Sequence, residues 1–111
     1  MIRLKESFDE KKLEQHGFIK RSDRQWDSKR RCVYYRTVYV FYFYKFKKGN
    51  FQSVEVYIEP FINAYDEIVY NAREVVARQD GYGVGNALNL IAKLLAAGIF
   101  EYVENEVTDS D

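Results

Sequence analysis

Residues 33–46 read VYYRTVYVFYFYKF, and they are followed by Lys47-Lys48-Gly49-Asn50 and then by FQSVEVYIE at residues 51–59. Nearly every position of the first run is β-branched or aromatic and no glycine or proline interrupts it, which suits a pleated strand. The return segment alternates, with Val54, Val56 and Ile58 on one face and Ser53, Glu55, Tyr57 and Glu59 on the other. A two-residue turn at Lys48-Gly49 sets Phe43 opposite Val54, Phe41 opposite Val56 and Tyr39 opposite Ile58. Moving the turn to Gly49-Asn50 slides every pair by two and leaves each side chain on its face, so the six-residue core face is better determined than the register. Pro60 ends the hairpin.

Upstream, Ser7 and Glu10 have the spacing of a capping box, which predicts a short helix running to about His16. Gly17 supplies the left-handed residue that stops it, and Phe18 falls where it can pack on Leu13. Residues 18–26, FIKRSDRQW, form a weaker strand candidate, and Asp27 to Arg31 read as a loop. Downstream of Pro60, Phe61, Tyr65, Ile68, Val69, Ala72, Val75 and Val76 recur at three- and four-residue steps, which predicts an amphipathic helix ending near Asp80-Gly81. A glycine-rich link leads to Asn86 as N-cap and to ALNLIAKLLAAGIF, a second helix apolar around most of its circumference. Gly98 ends that helix, and IFEYV becomes an edge strand. The expected fold is α+β: a short N-terminal helix, an antiparallel sheet of about three strands, and two C-terminal helices packed on it. Residues 1–104 form one domain, and residues 105–111 an acidic tail.

The chain has 111 residues, 47% hydrophobic and 31% charged, a globular balance with enough length for one core. Cys32 is the only cysteine, so no intrachain disulfide forms, and no apolar run reaches the length of a membrane span. With no secretory signal at the start either, the expectation is a cytoplasmic protein without membrane contact. Formal net charge is zero but unevenly spread: residues 1–50 carry 14 Lys and Arg against 6 Asp and Glu, and the remainder carries 3 against 11. Such asymmetry points to poles that meet each other or face different partners.

The residues that could carry chemistry are few. His16 and Cys32 are the sole members of their types, which excludes an ordinary zinc cluster and leaves a Cys-His pair dependent on their meeting. Glu55 and Glu59 share a strand face that a wet sheet would also produce. Asp80 to Asn86, DGYGVGN, resembles an anion cradle but follows no strand in this reading and lacks the lysine of a phosphate loop. The expectation is therefore no catalytic residue, no metal ligand and no cofactor.

What remains is the second face of the sheet, where Arg36, Tyr42, Tyr44, Phe46 and Tyr57 form the candidate interaction surface, with Val38 and Val40 between them. Lys29, Arg30, Arg31, Lys45, Lys47 and Lys48 form the candidate basic patch. In size, aromatic surface and lack of a chemical site the chain resembles the small inhibitors and regulators carried by phages and mobile elements, including anti-CRISPR proteins; the resemblance is one of type and rests on no motif. It implies a non-enzymatic module acting by protein binding, with a homodimer through the tyrosine-rich sheet or the last helix. The alternative is a nucleic-acid-binding protein that uses the basic, tyrosine-rich N-terminal half.

Overall fold

The computed structural model describes residues 1–28, 30–45, 51–58, 61–62, 68–69, 73–80 and 85–104. In chain order the elements are β1 (Ile2–Leu4), a 3₁₀ helix (Glu10–His16), β2 (Ile19–Asp27), β3 (Cys32–Lys45), β4 (Phe51–Ile58), β5 (Phe61–Ile62), β6 (Ile68–Val69), β7 (Glu74–Asp80), α1 (Gly85–Ala96) and β8 (Phe100–Tyr102). Six strands make one antiparallel sheet in the order β2-β3-β4-β7-β1-β8, and β5 pairs with β6 separately. This corrects the sequence-based expectation of about three strands under two C-terminal helices. The described residues are mostly sheet, with one α-helix of 12 residues and one short 3₁₀ helix among them.

The helix expected over residues 61–80 is the source of the error. Its described parts are strands, and β7 lies between β4 and β1, where Val75 and Ala77 face the main core and Val76 packs on the opposite side. Adjacent Val75 and Val76 pack on opposite faces of the strand, and a pair of neighbouring apolar residues fits a helical stripe as readily as it fits such a strand. Arg73, just before β7, has φ 86°, a left-handed conformation that costs a non-glycine residue about 1–2 kcal/mol. Its guanidinium compensates by donating to the carbonyls of Leu4, Lys5 and Phe8, and so fixes the chain between β7 and β1.

The β3–β4 hairpin forms as expected but two residues out of the anticipated register: Phe41 faces Val54, Tyr39 faces Val56 and Thr37 faces Ile58. The described pairing runs to Lys45 and Phe51, a bulge between Tyr42 and Tyr44 absorbs one residue, and the expected turn at Lys48-Gly49 lies outside the described residues. The face assignment survives the slip. Tyr39, Val54 and Val56 are buried in the main core, with Phe41, Phe43 and Ile58 packed against it.

That core lies between the sheet and the two helical elements. α1 contributes Ala87, Ile91 and Leu94 at helical spacing, and Leu13 of the 3₁₀ helix joins Phe18, Leu4 and Phe100. Both helical elements end alike: Gly17 and Gly98 take positive φ, their amides donate to Glu14 and Leu95 carbonyls, and the next amides (Phe18, Ile99) donate to Leu13 and Leu94 carbonyls. The start of the 3₁₀ helix differs from the reading above. Asp9, not Ser7, is the N-cap, and its carboxylate accepts from the Lys11 amide at 3.0 Å.

Candidate interaction surface on the β2–β3 arm

β3 has 14 residues and β4 has 8, and their pairing begins only at Thr37. Residues Cys32 to Arg36 therefore pair with Asp27 to Asp23 of β2 and with no other described strand. This two-stranded arm, five residue pairs and about 17 Å long, extends beyond the described part of β4. On the face continuous with the core it carries Arg24 opposite Tyr35 and Trp26 opposite Val33. Trp26 and Tyr35 are each 61% exposed. α1 packs mainly against β4, β7 and β8 rather than against this arm. Segment 19–36 holds seven Lys and Arg against two Asp. Lys20, Arg24 and Arg31 are exposed and form no ion pair among the described residues.

The second face of the sheet is arranged differently from the open aromatic surface that the sequence suggested. Val38 and Val40 are buried with Tyr57 against Tyr42 and Val76, beneath a layer of paired charges. Glu55, only 5% exposed, accepts from the Tyr57 hydroxyl at 3.0 Å and meets the Arg78 guanidinium at 3.1 Å. Arg78 also donates to the Tyr57 oxygen, and the Arg36 guanidinium lies 4.7 Å from the Tyr57 ring centroid. Arg21 donates to Asp23 at 2.7 Å and to the Tyr42 hydroxyl at 2.9 Å, and its other nitrogen stands 3.9 Å from Glu55. The hydrogen bond from Arg21 holds the Asp23 carboxyl below its ordinary range. Burial pushes the Tyr57 phenol above its ordinary value, partly opposed by the Arg78 hydrogen bond. A buried carboxylate between two arginines and a phenol satisfies its own demands, so the arrangement acts as a polar roof over Val38 and Val40.

Of the residues expected to form the interaction surface, Arg36, Tyr42 and Tyr57 do come together, inside this roof. Tyr44 lies in β3 opposite Gln52, and Phe46 is outside the described residues. The expected basic patch is divided. Arg30 and Arg31 sit at the tip of the arm, whereas Lys45 ends β3 thirteen steps from Cys32, about 43 Å along the strand. Lys29, Lys47 and Lys48 are outside the described residues, as is the Gly81–Val84 part of the glycine-rich link. Cys32 opens β3 at the arm tip and His16 ends the 3₁₀ helix beside Phe8. The β2–β3 ladder separates the two: Ile19, three residues after His16, pairs with Val40, eight residues along β3 from Cys32.

The exposed pair Trp26 and Tyr35 was missed by the sequence reading, although a signal existed. A first strand of 14 residues against a return of nine must leave part of itself unpaired on that side. Among the described residues no three His, Cys, Asp or Glu side chains group as metal ligands, and no helix is long and apolar enough to cross a membrane. Comparison with protein-family models, curated proteins and solved structures finds no match.

Proposed function

We propose that this protein is a non-enzymatic binding module, a small inhibitor or regulator of the kind phages and mobile elements carry, acting by docking the β2–β3 arm on another protein. One observation carries the reading: two large aromatic side chains, Trp26 and Tyr35, stand 61% exposed on one face of a projecting arm. Trp, Tyr and Arg dominate binding energy at protein interfaces, and Arg24 lies opposite Tyr35 on the same face. Anti-CRISPR activity is one form such inhibition takes. The exposed thiol of Cys32 fits a reducing compartment such as the cytoplasm.

The test is affinity isolation from nuclease-treated extract of the cells that make the protein, comparing the native sequence with a Trp26→Ala/Tyr35→Ala double variant. A protein partner recovered with the native chain, lost with the variant and binding again after purification supports the reading. Equal recovery by both removes the arm from the interface.

A second reading, direct binding of single-stranded nucleic acid, is favoured by the exposed cations Lys20, Arg24, Arg30 and Arg31 along the same hairpin. Fluorescence anisotropy with single- and double-stranded oligonucleotides at two salt concentrations decides it. Steep loss of affinity with salt supports nucleic acid, and no binding at low salt removes it.

A further inference from the structure

We infer that the outer edge of β2 is completed by an added antiparallel strand, an extended acidic segment of the partner protein with the pattern apolar-x-acid-x-x-x-acid-apolar. The inference rests on the arm as contact element and specifies how it binds. β2 is nine residues long and forms one edge of the six-stranded sheet, while β8 at the other edge has three residues. A long edge presents a row of main-chain donors and acceptors ready for another strand, and natural sheets usually shorten or cover such edges.

Charge decides what can pair there. In a two-fold antiparallel pairing of β2 with a second copy of itself, centring on Arg21 or Arg24 sets that arginine against its own copy. Centring on Ser22 sets Lys20 against Arg24, centring on Asp23 sets aspartate against aspartate, and centring on Gln25 sets Asp23 against Asp27. Each of the five central registers thus places like charges directly opposite, which is destabilising in a sheet. The edge rejects itself.

An acidic strand meets the opposite situation. Lys20, Ser22, Arg24 and Trp26 share one face of β2 and all are exposed, while on the other face Arg21 and Asp23 already neutralise each other. Running antiparallel, the added strand places an apolar residue beside Trp26, acids beside Arg24 and Lys20, and a second apolar residue beside Ile19, which is 59% exposed. Main-chain hydrogen bonds supply affinity and the two charge pairs supply register.

The probe is the peptide VTETTTEV, acetylated and amidated, added to the full chain and followed by amide hydrogen exchange in NMR. In the free protein every second amide of β2, those turned away from β3, should exchange fast, because β2 is an edge of the described sheet. The expected result is that these amides slow at least tenfold with the peptide. Neither the lysine counterpart VTKTTTKV nor the same acidic peptide N-methylated at alternate residues should protect them. Arg24→Glu should weaken VTETTTEV at least tenfold and let VTKTTTEV, which sets lysine beside position 24 and glutamate beside Lys20, bind in its place. Binding without amide protection, equal binding of the N-methylated or lysine peptide, or no binding overturns the inference. An octathymidylate that shifts the Trp26 and Tyr35 rings more strongly than the peptide does, and leaves β2 amides unprotected, overturns it in favour of nucleic acid. If strand addition fails while partner recovery still depends on Trp26 and Tyr35, the arm reading stands alone; if recovery ignores those rings, the arm reading fails separately.

Discussion

Tyr39 is fully buried in the main core, yet its hydroxyl has no hydrogen-bond partner among the described residues. Burial pushes its phenol above the ordinary value, and the carboxylates of Glu10, Glu14 and Asp9 add to the effect. A buried unsatisfied hydroxyl costs about 1–3 kcal/mol, so Tyr39→Phe should be neutral or raise stability by up to about 1 kcal/mol, read from the urea midpoint at unchanged slope. Ionisation gives a second expectation. Asp23 has a lowered value in the folded chain, so its contribution is present above about pH 4 and fades as pH falls through the folded value. Tyr57 and Tyr39 are raised, so their contributions hold below about pH 10 and are lost as pH rises beyond it. Asp23→Asn should flatten the acid side of a urea-midpoint profile and Tyr57→Phe the alkaline side; an unchanged profile in either variant would refute the corresponding assignment. Little of this was legible beforehand. Glu55 and Tyr57 were correctly set on the face opposite Val54, but the sequence could not show that Arg78, 23 residues away from Glu55, would roof them, because that contact depends on β7 pairing with β4.

At the level of elements, the parts read correctly were those whose signals are local. The β3 composition, the β4 alternation, the glycine stops at Gly17 and Gly98, and the edge strand after Gly98 all rest on neighbours within a few residues. β1 and β7 have no such signature. Three residues at Ile2–Leu4 are too few to show a period, and β7 takes its conformation from pairing with β4 and β1. α1 offers a direct test of which surface it buries. Its second helical neighbour is not present among the described residues, and Ala87, Ile91 and Leu94 face the sheet while Leu88 is 52% exposed. Ile91→Ala should cost about 2–4 kcal/mol and Leu88→Ala less than about 0.5 kcal/mol, measured by chemical denaturation. Equal costs would mean that Leu88 is covered in solution. Trp26→Ala and Tyr35→Ala should likewise leave the unfolding midpoint within about 0.5 kcal/mol of the parent, since exposed aromatic rings on an arm hold no core together. A large loss would make the arm structural rather than a contact element.

Across the whole molecule, the sheet joins the two ends of the described chain. β1 lies between β7 and β8, pairing Arg3 with Glu74 on one side and Ile2, Arg3 and Leu4 with Tyr102, Glu101 and Phe100 on the other. Arg3 also donates to the Glu101 carboxylate at 2.9 Å, and Leu4 is completely buried. Leu4→Ala should therefore cost about 3 kcal/mol and speed hydrogen exchange in β7 and β8 together, because both lean on the same strand. Exchange that rises in β8 alone would separate β1 from the main unit. The charge asymmetry noted in the sequence gains a location here as well, since five of its eight surplus positive charges fall in segment 19–36, at the opposite edge of the sheet.

The position of β1 also bears on how the polypeptide is made. Arg3 of β1 leaves the ribosome 98 residues ahead of its neighbour Glu101 in β8, so that edge of the sheet closes only after β8 has emerged. A chain truncated between β7 and β8 would keep β1 paired on one side only, and its bare edge would make it more open to proteolysis than the chain that carries β8.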